Sequence, residues 1–546
     1  MKIALAQINT RIGAFDSNLS KVLEALEKAK LQKADLIVFP ELTLTGYPPK
    51  DLLERKDFLQ ASESCLKKVI PATKNICVLI GFAENNRESK GRMAFNSVAL
   101  IQNKKLISIY RKQLLPNYDV FDEARYFEAG KNTGLFHFQN QKVGISICED
   151  LWASYSGFDR PLYSFDPIAL QIQGGAKVLI NLSASPAHLG KIKEREKLLS
   201  NLARKHRKPF IYLNLVGGND DLIFDGSSLV FNAKGQICEK LKSFEEDFVV
   251  CDLKEIKPKK INREPEEQWL KKALVLGIRD YLKKTGFQKV VLGLSGGIDS
   301  ALVLALAVEA CGASNVLALA MPSPFSSKHS VSDAIDLSKK LNVELRILPI
   351  QNLFEQFQVD LKWSANKQKT KVDLALQNLQ SRIRGNLLMA ISNRENYLLL
   401  STGNKSEMAV GYCTLYGDMS GGLAVISDLP KKWVYRLSQY INRNEQIIPT
   451  SILKKAPSAE LAPGQKDQDD LPDYDVLDAI VERYVEKNQS IQKIIDAGFS
   501  KKVVLDIVRR IHQNEYKRRQ APLGLRITSK AFGSGRRVPI THGFEG

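Results

Sequence analysis

Three reactive side chains in the first half of the chain stand at or just past apolar, strand-like runs. They are Glu41, Lys112 and Cys148. A thiol with an ordinary pKa of about 8.5 is only a few per cent thiolate at neutral pH, so it needs a base. A carboxylate can take its proton, and an ammonium can stabilise the oxyanion that forms when the thiol attacks a carbonyl. The set predicts a Cys148 nucleophile with Glu41 as base and Lys112 as stabiliser. For Cys148 alone, an inert buried thiol is the alternative.

A second candidate site is the Ser-Gly-Gly-Ile-Asp-Ser stretch at residues 295–300, which lies between a short β-branched run and an apolar helical run. A strand-to-helix turn of this kind collects backbone N–H groups and a helix N-terminus around one point, which suits a phosphate. Two glycines let the main chain approach the ligand closely. Asp299 adds an acceptor for Mg²⁺, and no Gly-Lys-Ser/Thr follows, so this is not the Walker pattern. An ordinary capped turn is the alternative.

The elements that must position the first group are strands alternating with helices. This density of strands, with few helices between some of them, predicts a layered α/β sandwich rather than one doubly wound sheet. Strands are predicted at residues 2–8, 35–41, 76–81, 97–101, 106–109, 142–147, 177–182, 209–215 and 228–231, and an amphipathic helix at 18–30.

In the second half, predicted strands and helices alternate as βαβ units. This pattern predicts a parallel, Rossmann-like sheet, whose ligands bind beyond the carboxyl ends of the strands. Predicted strands include residues 316–320, 344–349 and 397–401, and predicted helices 268–284, 330–341 and 373–394. Residues 254–267 are charged and contain proline, as in a linker. The predicted domains are therefore residues 1–253 and 268–546. Residues 460–475 contain Pro-Gly and several acids, which predicts a mobile surface loop.

Length and composition set the outer limits. A chain of 546 residues with 44% hydrophobic residues is expected to form two or more globular domains. No apolar run approaches the roughly 18 residues of a membrane span, and the first residues lack signal-peptide features, so a cytoplasmic location is expected. Seven cysteines without a Cys-x-x-Cys pair argue against a disulfide framework or a zinc site.

The formal net charge of +19 is compatible with simple solubility, with nucleic acid, or with a phosphorylated small molecule. Eleven lysines and arginines follow residue 500, against three acids. Because these basic residues are interleaved with proline and glycine, and are not set along a helix with aromatics, nucleic-acid binding is poorly supported.

The order of Glu41, Lys112 and Cys148 resembles that in the nitrilase, or carbon–nitrogen hydrolase, superfamily over roughly residues 1–250. The resemblance implies an αββα sandwich and the three catalytic roles given above. Glu123, Glu128 and Glu149 are further carboxylates, for which exposed surface positions are expected. The loop at residues 293–300 resembles the PP-loop of the ATP pyrophosphatases, which adenylate a carboxylate or carbonyl and release pyrophosphate.

The chain as a whole is similar to the glutamine-dependent NAD⁺ synthetases. The likeness lies in residues 111–118, 183–186, 293–300, 401–407 and 416–423. It implies hydrolysis of glutamine through a thioester on Cys148, and adenylation by ATP of the nicotinate carboxylate of deamido-NAD⁺. Ammonia then displaces AMP to form NAD⁺. A closed passage for ammonia is a mechanistic expectation.

The resemblance also implies the binding residues. Glutamine would be held by Tyr118, Ser185 and Lys191, and deamido-NAD⁺ by Asn378, Glu407 and Lys517. Mg²⁺ would be held by Asp299 and Glu407. ATP would be bound by Gly293, Leu294, Ser295, Gly296, Gly297, Ile298, Asp299, Ser300 and Thr402. A homo-oligomer that binds neither nucleic acid nor membrane is expected.

Two alternatives stay open. Another adenylating amidotransferase would keep both half-reactions but act on a different carboxylate. The absence of Cys-x-x-Cys disfavours tRNA thiolation, and a nitrilase-type glutaminase in place of an N-terminal cysteine nucleophile disfavours the asparagine and GMP synthetase types. A basic nucleic-acid-binding protein rests on charge alone, and salt-dependent retention of duplex DNA without ATP turnover would favour it.

Overall fold

The computed structural model describes residues 1–153, 155, 157, 160–363 and 373–544. The chain forms two compact units, Met1–Glu264 and Pro265–Gly546, and their boundary lies inside the segment predicted to be a linker. Among the described residues, no helix combines the length and the apolar character needed to cross a bilayer.

The first unit contains two six-stranded sheets and a two-stranded ribbon. Its strands are β1 (Lys2–Gln7), β2 (Leu36–Val38), β3 (Cys77–Asn85), β4 (Ala94–Gln102), β5 (Lys105–Arg111), β6 (Leu135–Phe138), β7 (Gln141–Ile147), β8 (Val178–Ser183), β9 (Phe210–Asn214), β10 (Val216–Asn219), β11 (Leu222–Asp225), β12 (Leu229–Phe231), β13 (Ile237–Lys240) and β14 (Asp247–Asp252). Its helices are α1 (Phe15–Leu31), α2 (Lys56–Val69), α3 (Glu123–Tyr126), α4 (Pro167–Gln173) and α5 (Lys191–His206).

The two large sheets pack face to face, with strand orders β14-β1-β2-β3-β4-β5 and β13-β12-β9-β8-β7-β6. Side chains alternate along each strand, so Ile3 and Leu5 of β1 enter the core between the sheets, while Ala4 and Ala6 face helices α1 and α2. Helix α5 covers the outer face of the second sheet. The predicted αββα sandwich is confirmed.

The second unit is built on a five-stranded sheet in which every neighbouring pair is parallel. Its strands are β15 (Val290–Gly293), β16 (Val316–Ala320), β17 (Glu344–Ile347), β18 (Leu398–Ser401) and β19 (Leu423–Ala424). Its helices are α6 (Glu266–Thr285), α7 (Ile298–Cys311), α8 (Lys328–Lys340), α9 (Gln351–Asp360), α10 (Leu374–Glu395), α11 (Lys405–Val410), α12 (Lys431–Ile441), α13 (Thr450–Lys454), α14 (Tyr474–Val481), α15 (Ile491–Asp496), α16 (Lys501–Gln513) and α17 (Glu515–Arg518).

The strand order in this sheet is β17-β16-β15-β18-β19, which confirms the predicted parallel, Rossmann-like sheet. The chain winds outward in one direction from β15 to β17 and in the other from β18 to β19. A crevice therefore opens between the carboxyl ends of β15 and β18, which is where open α/β sheets bind ligands.

The prediction of a mobile surface loop at residues 460–475 is wrong at three positions. Asp467, Leu471 and Tyr474 are 3%, 4% and 7% exposed. Tyr474 donates a hydrogen bond to Asp467 (2.8 Å), and Leu471 joins the apolar core formed by α14 and α16. The acidic residues of this stretch predict solvent exposure, because the sequence does not show which carboxylate forms a hydrogen bond inside the protein.

Two candidate active sites

Glu41 is the centre of a buried polar cluster in the first unit. Its Oε1 accepts hydrogen bonds from Lys112 Nζ (2.7 Å) and Asn96 Nδ2 (2.8 Å). Its Oε2 accepts one from the backbone N–H of Ala184 (2.7 Å). The Glu41 and Lys112 side chains are both 0% exposed, so solvent does not reach this ion pair and salt screens it only weakly.

Cys148 directly follows β7 and lies beside this cluster. It has a φ of +40°, in the left-handed region that residues with a Cβ rarely adopt. Burial first, and then the carboxylate of Glu41, raise the pKa of the Cys148 thiol well above its usual value, while Lys112 opposes the rise. Burial and the neighbouring carboxylate therefore both favour the neutral thiol over the thiolate.

Lys112 bridges two carboxylates, because its Nζ also contacts Glu123 Oε1 at 2.9 Å and Oε2 at 2.8 Å. Burial alone would lower the pKa of Lys112, but Glu123 and Glu41 outweigh burial and raise it. Burial and the charge of Glu41 raise the pKa of Glu123 to about 7, against the opposing effect of Lys112. Two acids thus share one ammonium.

Two of the residues predicted to hold glutamine, Tyr118 and Lys191, act on Glu149. Tyr118 Oη donates to both carboxylate oxygens of Glu149, at 3.0 and 3.1 Å. Lys191 stacks its ammonium 3.9 Å from the centre of the Trp152 ring and acts electrostatically on Glu149. Burial raises the pKa of Glu149 to about 7, although Tyr163, Lys112 and Tyr118 oppose the shift.

Ser185 is fixed by a separate buried network. Its backbone N–H donates to Asn214 Oδ1 (2.8 Å), and its Oγ lies 3.5 Å from a guanidinium nitrogen of Arg195. Arg195 in turn pairs with Asp225 at 3.1 Å, with both side chains 1% exposed. Asn214 and the buried Arg195–Asp225 ion pair therefore fix the position of Ser185. Neither Tyr118 nor Lys191 is part of that ion pair.

The expectation of exposed surface carboxylates is wrong for Glu123 and Glu149, which are 4% and 2% exposed. Glu128 is only partly buried, and its Oε2 accepts from the backbone N–H of Arg92 (3.0 Å). Sequence reasoning missed the first two because a lone glutamate in a loop has the same appearance whether it is solvated or buried.

The second candidate site lies at the carboxyl end of β15. The chain turns through residues 294–297 and enters α7, so the N-terminus of that helix points into a cavity of about 550 Å³. Gly296 has a φ of +76°, and a Cβ there would lie 2.3 Å from the carbonyl oxygen of Ser330. Ser295 Oγ accepts the N–H of Gly297 (3.2 Å), and Ser300 Oγ donates to the Gly297 carbonyl (3.0 Å). This turn is shaped as a phosphate cradle.

The structure places almost every residue predicted for the nucleotides around this one cavity. Gly296 is the exception. It does not line the cavity but packs against the backbone of Ser330. The predicted residues that line the cavity are Gly293, Leu294, Ser295, Gly297, Ile298, Asp299, Ser300, Asn378, Thr402, Glu407 and Lys517.

Asn378 and Lys517 are each held at the cavity by partners within the protein. Asn378 Oδ1 accepts from Thr414 Oγ1 (3.0 Å). Lys517 Nζ donates to the backbone carbonyls of Gly411 (2.7 Å) and Cys413 (2.8 Å). These contacts hold both side chains at the cavity wall.

Asp299 and Glu407, the predicted Mg²⁺ ligands, are joined by a lysine that the sequence analysis missed. Lys431 Nζ lies 2.5 Å from Asp299 Oδ2 and 3.6 Å from Glu407 Oε1. Asn404 Nδ2 donates to Asp299 Oδ1 (2.9 Å), and Asn404 also caps α11, which carries Glu407. Burial and the charge of Asp299 raise the pKa of Glu407 to about 8.

A signal for Lys431 was present in the sequence. Lys431 and Lys432 follow Pro430 at the start of α12. Cations are unfavourable at a helix N-terminus unless carboxylates surround them. Within the described residues, no group of three or more histidine, cysteine or acidic side chains is arranged to hold a metal by itself.

Known proteins share both units in the same order. The carbon–nitrogen hydrolase family matches residues 2–258, and the NAD synthase family matches residues 270–521. A glutamine-dependent NAD⁺ synthetase of Synechocystis is 48% identical over 557 residues, which cover 99% of each chain. One of Thermotoga maritima is 42% identical, over 100% of this chain and 99% of its own.

A solved structure agrees with these matches. The glutamine-dependent NAD⁺ synthetase of Acinetobacter baumannii, in complex with ADP, is 39% identical and superposes with a TM-score of 0.77. The match covers 99% of this chain and 98% of that one.

Proposed function

We infer the chemistry of this chain from the family to which it belongs, the glutamine-dependent NAD⁺ synthetases. We propose that the first unit hydrolyses glutamine and that the second unit uses the ammonia to convert deamido-NAD⁺ into NAD⁺ with ATP. The observation that carries this proposal is that one chain holds both a buried Glu41–Lys112–Cys148 cluster and a phosphate-loop cavity.

In the first half-reaction, the sulfur of Cys148 attacks the side-chain amide carbon of glutamine while its proton passes to Glu41. The Lys112 ammonium stabilises the oxyanion that forms. Collapse of this intermediate breaks the carbon–nitrogen bond, and Glu41 returns the proton to the leaving ammonia. Water then hydrolyses the thioester to glutamate. Transfer to Glu41 is needed because burial keeps the Cys148 thiol protonated.

Glutamine recognition is assigned to the charges beside this cluster. The Glu149 carboxylate, held by Tyr118, supplies a partner for the α-ammonium of glutamine. Lys191 supplies positive charge for the α-carboxylate, and Ser185 supplies hydrogen bonds. The matched pair of opposite charges would select a zwitterionic amino acid over a simple amide.

In the second half-reaction, the loop at residues 293–300 binds the phosphates of ATP. The nicotinate carboxylate of deamido-NAD⁺ attacks the α-phosphorus, and pyrophosphate leaves. Ammonia then attacks the acyl carbon, AMP leaves, and a proton is released. Asn378, Glu407 and Lys517 are assigned to deamido-NAD⁺, and Thr402 to ATP, because all four lie on the wall of the same cavity.

The carboxylates of Asp299 and Glu407 fit Mg²⁺, which usually binds through one or two carboxylates together with substrate phosphates. Lys431 Nζ lies beside both carboxylates, so its positive charge would add to that of a bound Mg²⁺. A bound Mg²⁺ would neutralise the charge that develops on the phosphates.

A cytoplasmic location and a homo-oligomer are part of the same proposal. Light scattering after gel filtration tests the oligomeric state.

The test is an assay of the purified chain with ATP, Mg²⁺, deamido-NAD⁺ and either glutamine or ammonium chloride. We expect NAD⁺, AMP and pyrophosphate in equal amounts with either nitrogen source, and an equal amount of glutamate with glutamine. Nicotinate mononucleotide and aspartate serve as competing acceptors. Turnover of one of these in place of deamido-NAD⁺ would move the chain to another adenylating amidotransferase, whereas DNA binding without ATP turnover would exclude both.

A further inference from the structure

A single buried carboxylate binds the backbone beside Lys112. Asp150 is 0% exposed, and its Oδ1 accepts two backbone hydrogen bonds. The donors are the N–H groups of Gln113 (3.1 Å) and Leu114 (2.9 Å), the two residues that follow Lys112. Both amides therefore point at one oxygen atom, which fixes the direction in which the chain leaves Lys112.

The other oxygen of the same carboxylate holds the approach to Cys148. Asp150 Oδ2 accepts from the backbone N–H of Ile147 (2.9 Å) and from Tyr110 Oη (2.8 Å). Cys148 comes next, with its φ of +40°. A residue with a Cβ in the left-handed region is disfavoured, and it stays there only where the surroundings fix it. The bond to Ile147 supplies one such constraint.

We propose that Asp150 is a positioning residue for glutamine hydrolysis, which sets the distance between the Lys112 ammonium and the Cys148 sulfur by binding both backbones at once. This inference rests on the glutaminase reaction proposed above. Asp150 takes no part in proton transfer in it, because four donors occupy its two oxygens. A carboxylate is required, since an amide accepts hydrogen bonds on one of its two polar atoms and donates from the other.

The test is Asp150→Asn in the full-length enzyme. Whichever way the new amide is turned, its NH₂ group faces an N–H donor and releases one of the two segments. We expect kcat for glutamine hydrolysis to fall about 100-fold, as for a 1 Å misplacement of reacting groups. KM for glutamine should stay within about threefold, because the four hydrogen bonds of Asp150 go to residues other than Tyr118, Ser185 and Lys191. Ammonia-supported synthesis should be unchanged.

The matched control is Tyr110→Phe, which removes one of the four hydrogen bonds but leaves both catalytic segments bound. Its kcat should stay within about threefold of the original value. An Asp150→Asn enzyme with normal kcat, or an equal loss in both variants, would overturn the inference. An original enzyme without any glutaminase activity would instead overturn the proposed function.

Hydrogen exchange of the unaltered enzyme gives a second measurement, which does not depend on the folding of a variant. The amides of Gln113 and Leu114 follow the end of β5, and Asp150 is the acceptor that both share. Strong protection of these two amides is expected. Exchange as fast as in an exposed loop would show that Asp150 does not hold this segment, and would overturn the inference.

Discussion

Glu123 and Glu149 show how burial gives two similar side chains different tasks. Both have a pKa raised to about 7 by burial. Glu123 contacts the ammonium of Lys112, whereas Glu149 accepts from the hydroxyl groups of Tyr118 and Tyr163. We therefore propose that Glu123 tunes the ammonium of Lys112, while Glu149 presents a carboxylate to glutamine. Each assignment predicts a separate effect.

The affinity for glutamine should fall as the pH falls through 7. Below its pKa of about 7, Glu149 is protonated and neutral, so the α-ammonium of glutamine loses its partner. We expect KM for glutamine to be about tenfold higher at pH 6 than at pH 8, since the ionised fraction changes by that factor. Steady-state kinetics of glutamine hydrolysis measure this.

The control is Glu149→Gln, whose KM should be high at both pH values. Equal KM values at pH 6 and pH 8 for the unaltered enzyme would remove Glu149 from substrate binding.

Glu123→Gln should lower kcat for glutamine hydrolysis about ten- to a hundredfold. The amide removes one of the two negative charges that hold the Lys112 ammonium, and an oriented oxyanion donor contributes about 3 kcal/mol. Tyr47→Phe is the control, because it removes the donor to Glu123 (2.8 Å) but leaves the charge. A loss in Tyr47→Phe as large as that in Glu123→Gln would contradict a charge effect.

At the scale of elements, each site forms where a strand ends. Cys148 directly follows β7, Thr402 directly follows β18, and the loop after β15 leads into the N-terminus of α7. Backbone amides and side chains at such ends are not used up by the sheet, so they are available to a ligand. The turn geometry at each end then decides whether they converge.

Gly296→Ala tests the turn after β15. The new Cβ would lie 2.3 Å from a backbone oxygen of Ser330 and would sit at a φ of +76°, so the loop must move. We expect synthesis to fall at least tenfold with both nitrogen sources while glutamine hydrolysis persists. NAD⁺ formation and glutamate release, measured in the same samples, separate the two effects.

Gly286→Ala is the matched control. Gly286 has a φ of +94°, but a Cβ there meets nothing within 4 Å. This variant should lose about 1–2 kcal/mol of stability, because alanine is strained at a positive φ, and should keep its activity. If Gly286→Ala reduced synthesis as much as Gly296→Ala, backbone strain rather than loop position would explain both.

At the scale of the whole molecule, we propose that each unit carries the groups for its own half-reaction. Cys148→Ala should abolish glutamine-supported synthesis and leave ammonia-supported synthesis within about twofold, because only the first unit loses its proposed nucleophile. Asp299→Ala should stop synthesis from both nitrogen sources, since Asp299 anchors Lys431 and is the proposed ligand of Mg²⁺. Parallel assays with glutamine and with ammonium chloride check both variants, and loss of both activities in Cys148→Ala would contradict the division of labour.

The sequence alone determined the sandwich and the parallel sheet, and it supplied the candidate reactive residues. Alternating apolar residues define strands, since a strand must bury one face, and the phosphate loop is a local pattern in which every residue is close in sequence to the next. Residues 316–320 were predicted as a strand with the bounds that the structure gives to β16. Local chemistry of this kind needs no knowledge of distant contacts.

Only the tertiary structure decided which charges are buried together. Lys112 and Glu41 are 71 residues apart in the chain, and Lys431 and Asp299 are 132 apart. A buried charge must meet an opposite charge or several hydrogen-bond donors, and those partners come from segments that meet only when the sheets close. For that reason the sequence shows the residue types but not the buried contacts of Glu123, Glu149, Asp150 and Lys431, which depend on the tertiary fold.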